Sequence, residues 1–186
     1  MKKQTILILI LFICSLSSAQ KSLSSDLLYV DQTPLEIQLK YSNKNVKKNT
    51  TDSTYIETDL NFLIENKWNT IPVSLRARGN FRRAKCYFPP IKMKIKKSLS
   101  KNTVFKGNKS LKLVLPCRTE DEKNDNILQE FIAYKIYEVI SPYHFKTRRV
   151  NIDFTEPKGR KNKTFALKGF LIEDDSRLAK RFDGRV

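Results

Sequence analysis

Residues 73–97 constrain the fold more than any other segment, because they predict two strands joined at a tight bend. The apolar residues of these strands alternate with polar ones: Val73, Leu75 and Ala77 in the first strand, and Ile91, Met93 and Ile95 in the second. Strict alternation is typical of a strand with one buried face. Gly79 lies at the bend, where glycine tolerates a left-handed backbone. The segment therefore predicts paired strands with basic side chains on their second face.

The same part of the sequence is strongly basic. Residues 66–119 contain no Asp or Glu, and lysine occupies every second position of the strand after the bend. The chain has a formal charge of +17, which becomes +15 when Lys2 and Lys3 are removed. Folding against this self-repulsion requires either a substantial apolar core or bound counter-anions. The pattern predicts a partner that is phosphate-bearing or otherwise anionic.

The N-terminus is typical of a signal peptide. Lys2 and Lys3 precede an apolar run at residues 6–13, and small residues lead to a cleavage site near Ala19. The apolar run is shorter than the ~20 residues that span a bilayer. Residues 1–19 are therefore predicted to be removed, and residues 20–186 to form one domain that is periplasmic, at the cell surface or secreted. The mature chain is predicted to have no transmembrane segment.

Cys86 and Cys117 are the two cysteines that remain after this cleavage. Exported proteins can form disulfides. We place the strand after the bend in a hairpin with residues 111–115, with Lys92 opposite Leu111. This register brings Cys86 opposite Cys117, and cross-strand neighbours are close enough to form a disulfide. A disulfide is predicted, and two separate buried thiols are the alternative.

The order of the predicted elements indicates an α+β domain. Strands are predicted at residues 35–41, 56–64, 73–78, 91–96 and 111–115, a helix at 125–140, and strands at 149–154 and 164–172. The helix has one apolar face at helical spacing: Leu128, Phe131, Ile132, Ile136, Val139 and Ile140. Residues 41–54 and 157–163 are predicted to be loops. Short connections favour an antiparallel meander, so we predict a mostly antiparallel sheet with the main helix, residues 125–140, packed across it.

Four short motifs follow one another in the order of a known family. They are VSLRARGN at residues 73–80, PIKMKI at 90–95, IAY at 132–134 and FLIE at 170–173. In this order they resemble the spore-coat protein H (CotH) kinase-like family. The resemblance covers residues 56–173, and the order of the motifs is more specific than any one of them.

The resemblance implies the N-terminal lobe of a kinase-like fold, with ATP and magnesium as its cofactors. In such lobes a strand lysine contacts the nucleotide phosphates, and a glutamate on the following helix holds that lysine. By this resemblance Lys94 is the phosphate-binding lysine. Lys92 is the alternative, because both side chains face the same way, and Glu130 is the partner on the helix.

The resemblance also assigns the ends of two strands. Arg78, Gly79 and Asn80 would form the turn near the phosphates. Glu173 would lie near the hinge. The chain departs from the family at Phe81, where the family has serine.

The residues that complete a kinase site are not found at their family positions. Catalysis requires an aspartate–asparagine pair and a second aspartate, well downstream of the hinge. The sequence ends at Val186, soon after Glu173, and Asp174, Asp175 and Asp183 do not have the required spacing. The domain is therefore predicted to be truncated at its C-terminal end and inactive as given. It would be an atypical protein kinase only if residues beyond 186 completed it.

Two functions remain open. The first is nucleotide or phosphate binding by an exported CotH kinase-like domain that lacks its catalytic half. The alternative is a non-enzymatic extracytoplasmic module that binds polyanions or the cell surface. Phe81, Tyr87 and Phe88 lie among basic residues in a pattern that can stack on bases, but export makes genomic nucleic acid an unexpected partner. No spacing typical of metal ligands is present.

Overall fold

The computed structural model describes residues 26–119 and 124–186, and the predicted signal peptide at residues 1–19 lies outside them. The strands are β1 (Leu35–Lys40), β2 (Ile56–Ile64), β3 (Lys67–Ala77), β4 (Ile91–Ile95), β5 (Ser110–Val114), β6 (Thr147–Lys158) and β7 (Lys161–Glu173). The helices are α1 (Leu27–Val30), α2 (Asn43–Asn49), α3 (Phe81–Lys85), α4 (Lys97–Ser100), α5 (Asn124–Ile140) and α6 (Asp175–Arg181). None of these described helices is long and apolar enough to cross a membrane.

The strands form one closed barrel in the order β1-β2-β3-β4-β5-β7-β6. β1 is antiparallel to β2, where Ile37 lies opposite Phe62, and parallel to β6, where Leu35 lies opposite Val150. The prediction of an α+β domain, a mostly antiparallel sheet with one main helix as in a kinase N-lobe, is therefore wrong. An alternating strand pattern shows which face is buried. It contains no information about which strand lies alongside or in which direction, so the parallel closure was missed.

The barrel interior is filled by the apolar residues of the alternating strands. The ring centroids of Phe88 and Phe154 lie 5.5 Å apart, and those of Phe62 and Phe105 lie 5.1 Å apart, both edge to face. Aromatic pairs of this kind contribute about 0.5–1.5 kcal/mol beyond the burial of their area. Because apolar residues of β4 face inward, its lysines lie on the outside of the barrel.

The predicted disulfide between Cys86 and Cys117 is present, with Cα atoms 4.6 Å apart. The register used to predict it is wrong by one residue, because Leu111 lies opposite Met93. Beyond the strands, the amide of Tyr87 donates to the carbonyl of Cys117 at 2.7 Å. The residue before Tyr87 is therefore close enough to Cys117 for the bond to form in the shifted register.

Two segments that were predicted to be loops are largely structured. Residues 41–54 include α2, whose first turn is capped by the Ser42 side chain and whose Val46 is buried. Residues 157–163 belong mostly to β6 and β7, which are joined by a tight turn. Gly159 lies in this turn with a φ of 56°, in the left-handed region that glycine adopts easily. High polarity alone did not distinguish a loop from an exposed helix or a long hairpin.

The helix predicted at residues 125–140 is present as α5, but a different face packs on the barrel. Phe131 and Tyr134 pack with Ile127 against Val114 and Phe170. The remaining apolar residues of the predicted face are exposed: Leu128, Ile132, Ile136, Val139 and Ile140. The barrel therefore covers only one side of a helix that is apolar on two.

Buried charges tie the first described residues to the last helix. Asp26 pairs with Arg177 at 2.7 Å and accepts a hydrogen bond from Asn108 at 3.1 Å. Glu173 is fully buried and pairs with Arg181 at 2.8 Å. Removing one partner of a buried pair leaves an uncompensated charge, so this cluster holds α6 firmly against the barrel.

Candidate functional site

Three basic side chains lie side by side on the outside of the barrel. Arg76 of β3 is directly opposite Lys92 of β4, and Lys92 is directly opposite Lys112 of β5. We call these three residues the basic row. Like charges that face each other on neighbouring strands are destabilising. The basic row therefore requires negative charge from another part of the chain.

Carboxylates from outside the acid-free segment supply that charge. The ion pairs are Arg76 with Asp52 at 2.8 Å, Lys92 with Asp174 at 3.1 Å, and Lys112 with Asp175. Burial acts to raise the pKa of Asp174, but hydrogen bonds from Ser176 and the charge of Lys92 lower this pKa to about 2. Asp174 is therefore ionised at neutral pH, and Lys92 is held by it.

Arg78 lies just beyond the basic row and has no such partner. Its amide continues the β3–β4 pairing by donating to the carbonyl of Pro90 at 2.8 Å. Its Nε is buried and has no hydrogen-bond partner among the described residues. No ion pair within residues 26–119 and 124–186 includes it. A buried donor without a partner costs about 1–3 kcal/mol, so the Nε of Arg78 is a donor that a ligand could satisfy.

The surroundings of Arg78 are reflected in the pKa of its guanidinium. Burial lowers this pKa, and the charge of Arg82 acts in the same direction. Three groups act to raise it: Tyr134, Asp175 and Glu130. Arg78 therefore lies where the end of β3 meets α5 and the start of α6. We call Arg78, Arg82, Glu130, Tyr134 and Asp175 the Arg78 cluster.

Arg82 links α3 to α5 within this cluster. Its Nη1 lies 3.4 Å from Oε2 of Glu130, and its Nη2 donates to the carbonyl of Leu115 at 2.6 Å. Both side chains of the ion pair are partly exposed, so water weakens their attraction. Glu130 therefore faces the predicted site, but its partner is an arginine of α3.

The turn after Arg78 has the predicted geometry at its glycine. Gly79 has a φ of 72°, which confirms the left-handed backbone that the sequence indicated. Gly79 and Asn80 are both exposed, and the Asn80 side chain does not cap α3. The turn leaves its backbone groups and the side-chain amide of Asn80 accessible beside Arg78.

Lys94 lies on the same face as the basic row but contacts a different residue. Its Nζ is 4.0 Å from the centroid of the Tyr55 ring, and Arg76 donates to the Tyr55 hydroxyl at 3.1 Å. Burial acts to raise the pKa of Tyr55, but hydrogen bonds from Lys94 and Arg76 outweigh it and lower this pKa. Lys94 is therefore two residues along β4 from Lys92 of the row and is directed at an aromatic ring.

The structure brings together some of the predicted site residues and separates others. Arg78, Gly79, Asn80, Lys92 and Glu130 lie on one part of the barrel surface. The other two predicted residues make their contacts outside the Arg78 cluster. Lys94 contacts Tyr55, and Glu173 is buried in the ionic cluster that holds α6.

The described residues do not fit a kinase-type site for ATP and magnesium. Glu130 pairs with Arg82, Lys94 lies over the Tyr55 ring, and the alternative lysine, Lys92, pairs with Asp174. The lysine–glutamate pair that the resemblance implies is therefore not formed among the described residues. The described part of the chain also contains no group of three or more His, Cys, Asp or Glu side chains that could hold a metal ion. What remains is a surface of arginine and lysine side chains, of which Arg82, Lys92 and Lys112 are paired with carboxylates.

Sequence reasoning missed the residues that complete this surface. Arg82, Tyr134, Asp174 and Asp175 were not predicted to belong to it. One signal could have indicated the two aspartates. They follow Glu173 in an acidic run at the end of a buried strand, whereas residues 66–119 contain no acid. A basic segment and an acidic segment of one chain attract each other and can form ion pairs after folding.

A large cavity of about 890 Å³ lies at a different end of the barrel. It is bordered by the turn between β2 and β3, by residues 101–106, and by the segment before β1. Phe62 and Val104 contribute apolar surface to it. None of the predicted site residues lines this cavity, so it is separate from the Arg78 cluster.

The chain matches no protein-family model and no curated protein. The resemblance to the CotH kinase-like family therefore stays a prediction from short sequence motifs.

Proposed function

We propose that this domain is a non-enzymatic module that binds a phosphate-bearing anion on the barrel surface around Arg78. The observation that carries the proposal is the guanidinium of Arg78, which has neither an ion pair nor a partner for its Nε among the described residues. Arginine presents a planar fork of donors that matches the oxygens of phosphate. An anion at this position gives the guanidinium the partner that the fold does not supply.

The residues around Arg78 favour an anion of distributed charge. Lys92, Lys112 and Arg82 each have a carboxylate partner, so they add donors and little net charge. Exposed basic residues of the acid-free segment, such as Lys85 and Arg118, extend the positive surface. A polymer with repeated phosphates can contact both the fork of Arg78 and these outer charges.

Predicted export supports a polymer rather than a nucleotide. A protein outside the cytoplasm meets phosphate-bearing polymers of the cell surface, while ATP is scarce there. The partners of Glu130 and Lys92 give no support to a kinase-type nucleotide site either. The proposed function is therefore recognition of a polyanion, and no chemical step is assigned to it.

Titration calorimetry with linear inorganic polyphosphate tests this proposal. The variant Arg78→Gln removes the unpaired guanidinium, and Arg160→Gln removes an exposed arginine in the turn between β6 and β7. Hydrogen bonds to charged groups contribute about 1.5–3 kcal/mol, so Arg78→Gln is expected to weaken binding roughly 10- to 100-fold. Arg160→Gln is expected to change it less than about twofold because exposed charges contribute little individually.

An equal loss of affinity in the two variants would show that polyphosphate binding depends only on the net charge of the protein. This result would overturn the proposal. Magnesium and ATP provide a second arm of the experiment. If ATP with magnesium bound more tightly than polyphosphate, and this binding required Arg78, the ligand would be a nucleotide instead.

A further inference from the structure

The exposed side of α5 is an apolar surface that nothing in the described residues covers. Between residues 127 and 140, the apolar arc consists of Leu128, Ile132, Ala133, Ile136, Val139 and Ile140, all exposed. At 100° per residue these positions fall within about 140° of the helix circumference. The charged residues of this part of α5 lie outside the arc: Glu130, Lys135 and Glu138. Gln129 is its one polar residue within these limits.

The apolar arc is contiguous, whereas the exposed apolar side chains of most protein surfaces are isolated from one another. Val139 is 86% exposed and Ile140 70% exposed, and they are contiguous with the three exposed aliphatic side chains one, two and three turns earlier. The opposite side of α5 is also apolar and packs on the barrel through Ile127 and Phe131. Apolar residues therefore occur on two sides of α5, and the barrel covers only one of them. Contiguous apolar patches usually mark an interaction site.

The charges beside the arc indicate what covers it. Leu128 shares a small surface depression of about 110 Å³ with Arg149 of β6 and Lys168 of β7. Neither of these basic residues forms an ion pair with any described residue. Tyr137 and Tyr143 are exposed near the other end of the helix. Apolar side chains bordered by cations and tyrosines are typical of a helix that lies in a membrane interface.

We propose that the apolar arc of α5 docks on an anionic lipid bilayer. The aliphatic side chains enter the boundary between headgroups and acyl chains, and Arg149 and Lys168 contact lipid phosphates. A second copy of the chain is the weaker alternative. Two copies would bring together the same large positive charge, +17 for the full sequence, whereas an anionic surface is complementary to it.

Co-sedimentation with vesicles tests the apolar part of this proposal. The vesicles contain phosphatidylglycerol and phosphatidylcholine, and a parallel set contains phosphatidylcholine alone. The double variant Ile132→Ser and Ile136→Ser is expected to reduce binding to the anionic vesicles at least tenfold. The control is Leu99→Ser with Trp68→Ser, which removes two exposed apolar side chains of other elements and is expected to change binding less than twofold. Circular dichroism verifies that the variants are folded.

A second pair of variants tests the charges. Arg149→Gln with Lys168→Gln is expected to weaken binding to anionic vesicles several-fold. The matched control, Lys161→Gln with Lys163→Gln, removes two exposed lysines at the start of β7 and is expected to have a smaller effect. Unchanged vesicle binding in Ile132→Ser with Ile136→Ser would overturn the proposal.

Two further outcomes separate this proposal from the alternatives. Arg78→Gln is expected to bind vesicles like the wild type, so membrane docking and polyphosphate binding can fail independently. Sedimentation equilibrium without lipid is expected to show a monomer. A dimer that dissociates in Ile132→Ser with Ile136→Ser would overturn membrane docking and identify the arc as a contact between two copies.

Discussion

Removing the disulfide between Cys86 and Cys117 is expected to destabilise the domain strongly. The bond closes a loop with a sequence separation of 31 residues. The chain-entropy relation gives a stabilisation of about 3.7 kcal/mol for a loop of this length at 25 °C. In a domain of this size each kcal/mol changes the melting temperature by about 2–4 °C. The double variant Cys86→Ala and Cys117→Ala is therefore expected to melt roughly 7–15 °C below the wild type.

Urea denaturation followed by circular dichroism measures the free-energy difference directly. The reducing agent dithiothreitol provides the control, because it is expected to bring the wild type to the stability of the variant and to leave the variant unchanged. The variant is also expected to bind polyphosphate more weakly, since the disulfide attaches the end of α3, and with it Arg82, to the segment after β5. A wild-type protein and a variant with the same denaturation midpoint would refute this reasoning.

Three further changes test other parts of the structure by urea denaturation. Glu173→Gln removes the charge of a fully buried carboxylate from its ion pair with Arg181 and is expected to cost about 3–5 kcal/mol; a cost under 1 kcal/mol would contradict this role of the buried carboxylate. Gly169→Ala places a Cβ 2.5 Å from the carbonyl oxygen of Val114 and is expected to cost about 1–3 kcal/mol, whereas Gly184→Ala has ordinary contacts and should be near neutral. The pKa of Asp174, about 2 in the folded state against 3.8 ordinarily, implies stabilisation that is present above about pH 4 and is lost as the pH falls through 2. Asp174→Asn should therefore show a smaller loss of stability between pH 4 and pH 2 than the wild type, and parallel pH profiles would contradict the ion pair with a lysine of β4.

Local sequence pattern was sufficient to predict most of the individual strands. The alternation in β2 and β4 identified both strands and their inward faces, because burial of every second residue is a local property. The pairing of β1 with β6 could not be obtained in this way. It joins Leu35 to Val150 across most of the chain, and nothing in either strand specifies the other.

The candidate site was predictable to a similar extent. The acid-free segment correctly indicated a basic outer face, since Arg76, Lys92 and Lys112 lie in one row. The partners of these residues were not predictable, because Asp52 and Asp174 come from distant segments that the barrel brings close. Charge composition indicates that counter-charges are needed, and only the tertiary structure determines which carboxylates supply them.

The parallel contact between β1 and β6 has a consequence for how the protein is made. The ribosome delivers residues 35–40 long before residues 147–158, so one edge of β1 stays unpaired until β6 has been synthesised. Proteins whose contacts span most of the chain fold slowly. During this time an unpaired strand edge can pair with the strands of neighbouring molecules. The large positive charge of the chain would then also reduce aggregation, because incompletely synthesised chains repel one another.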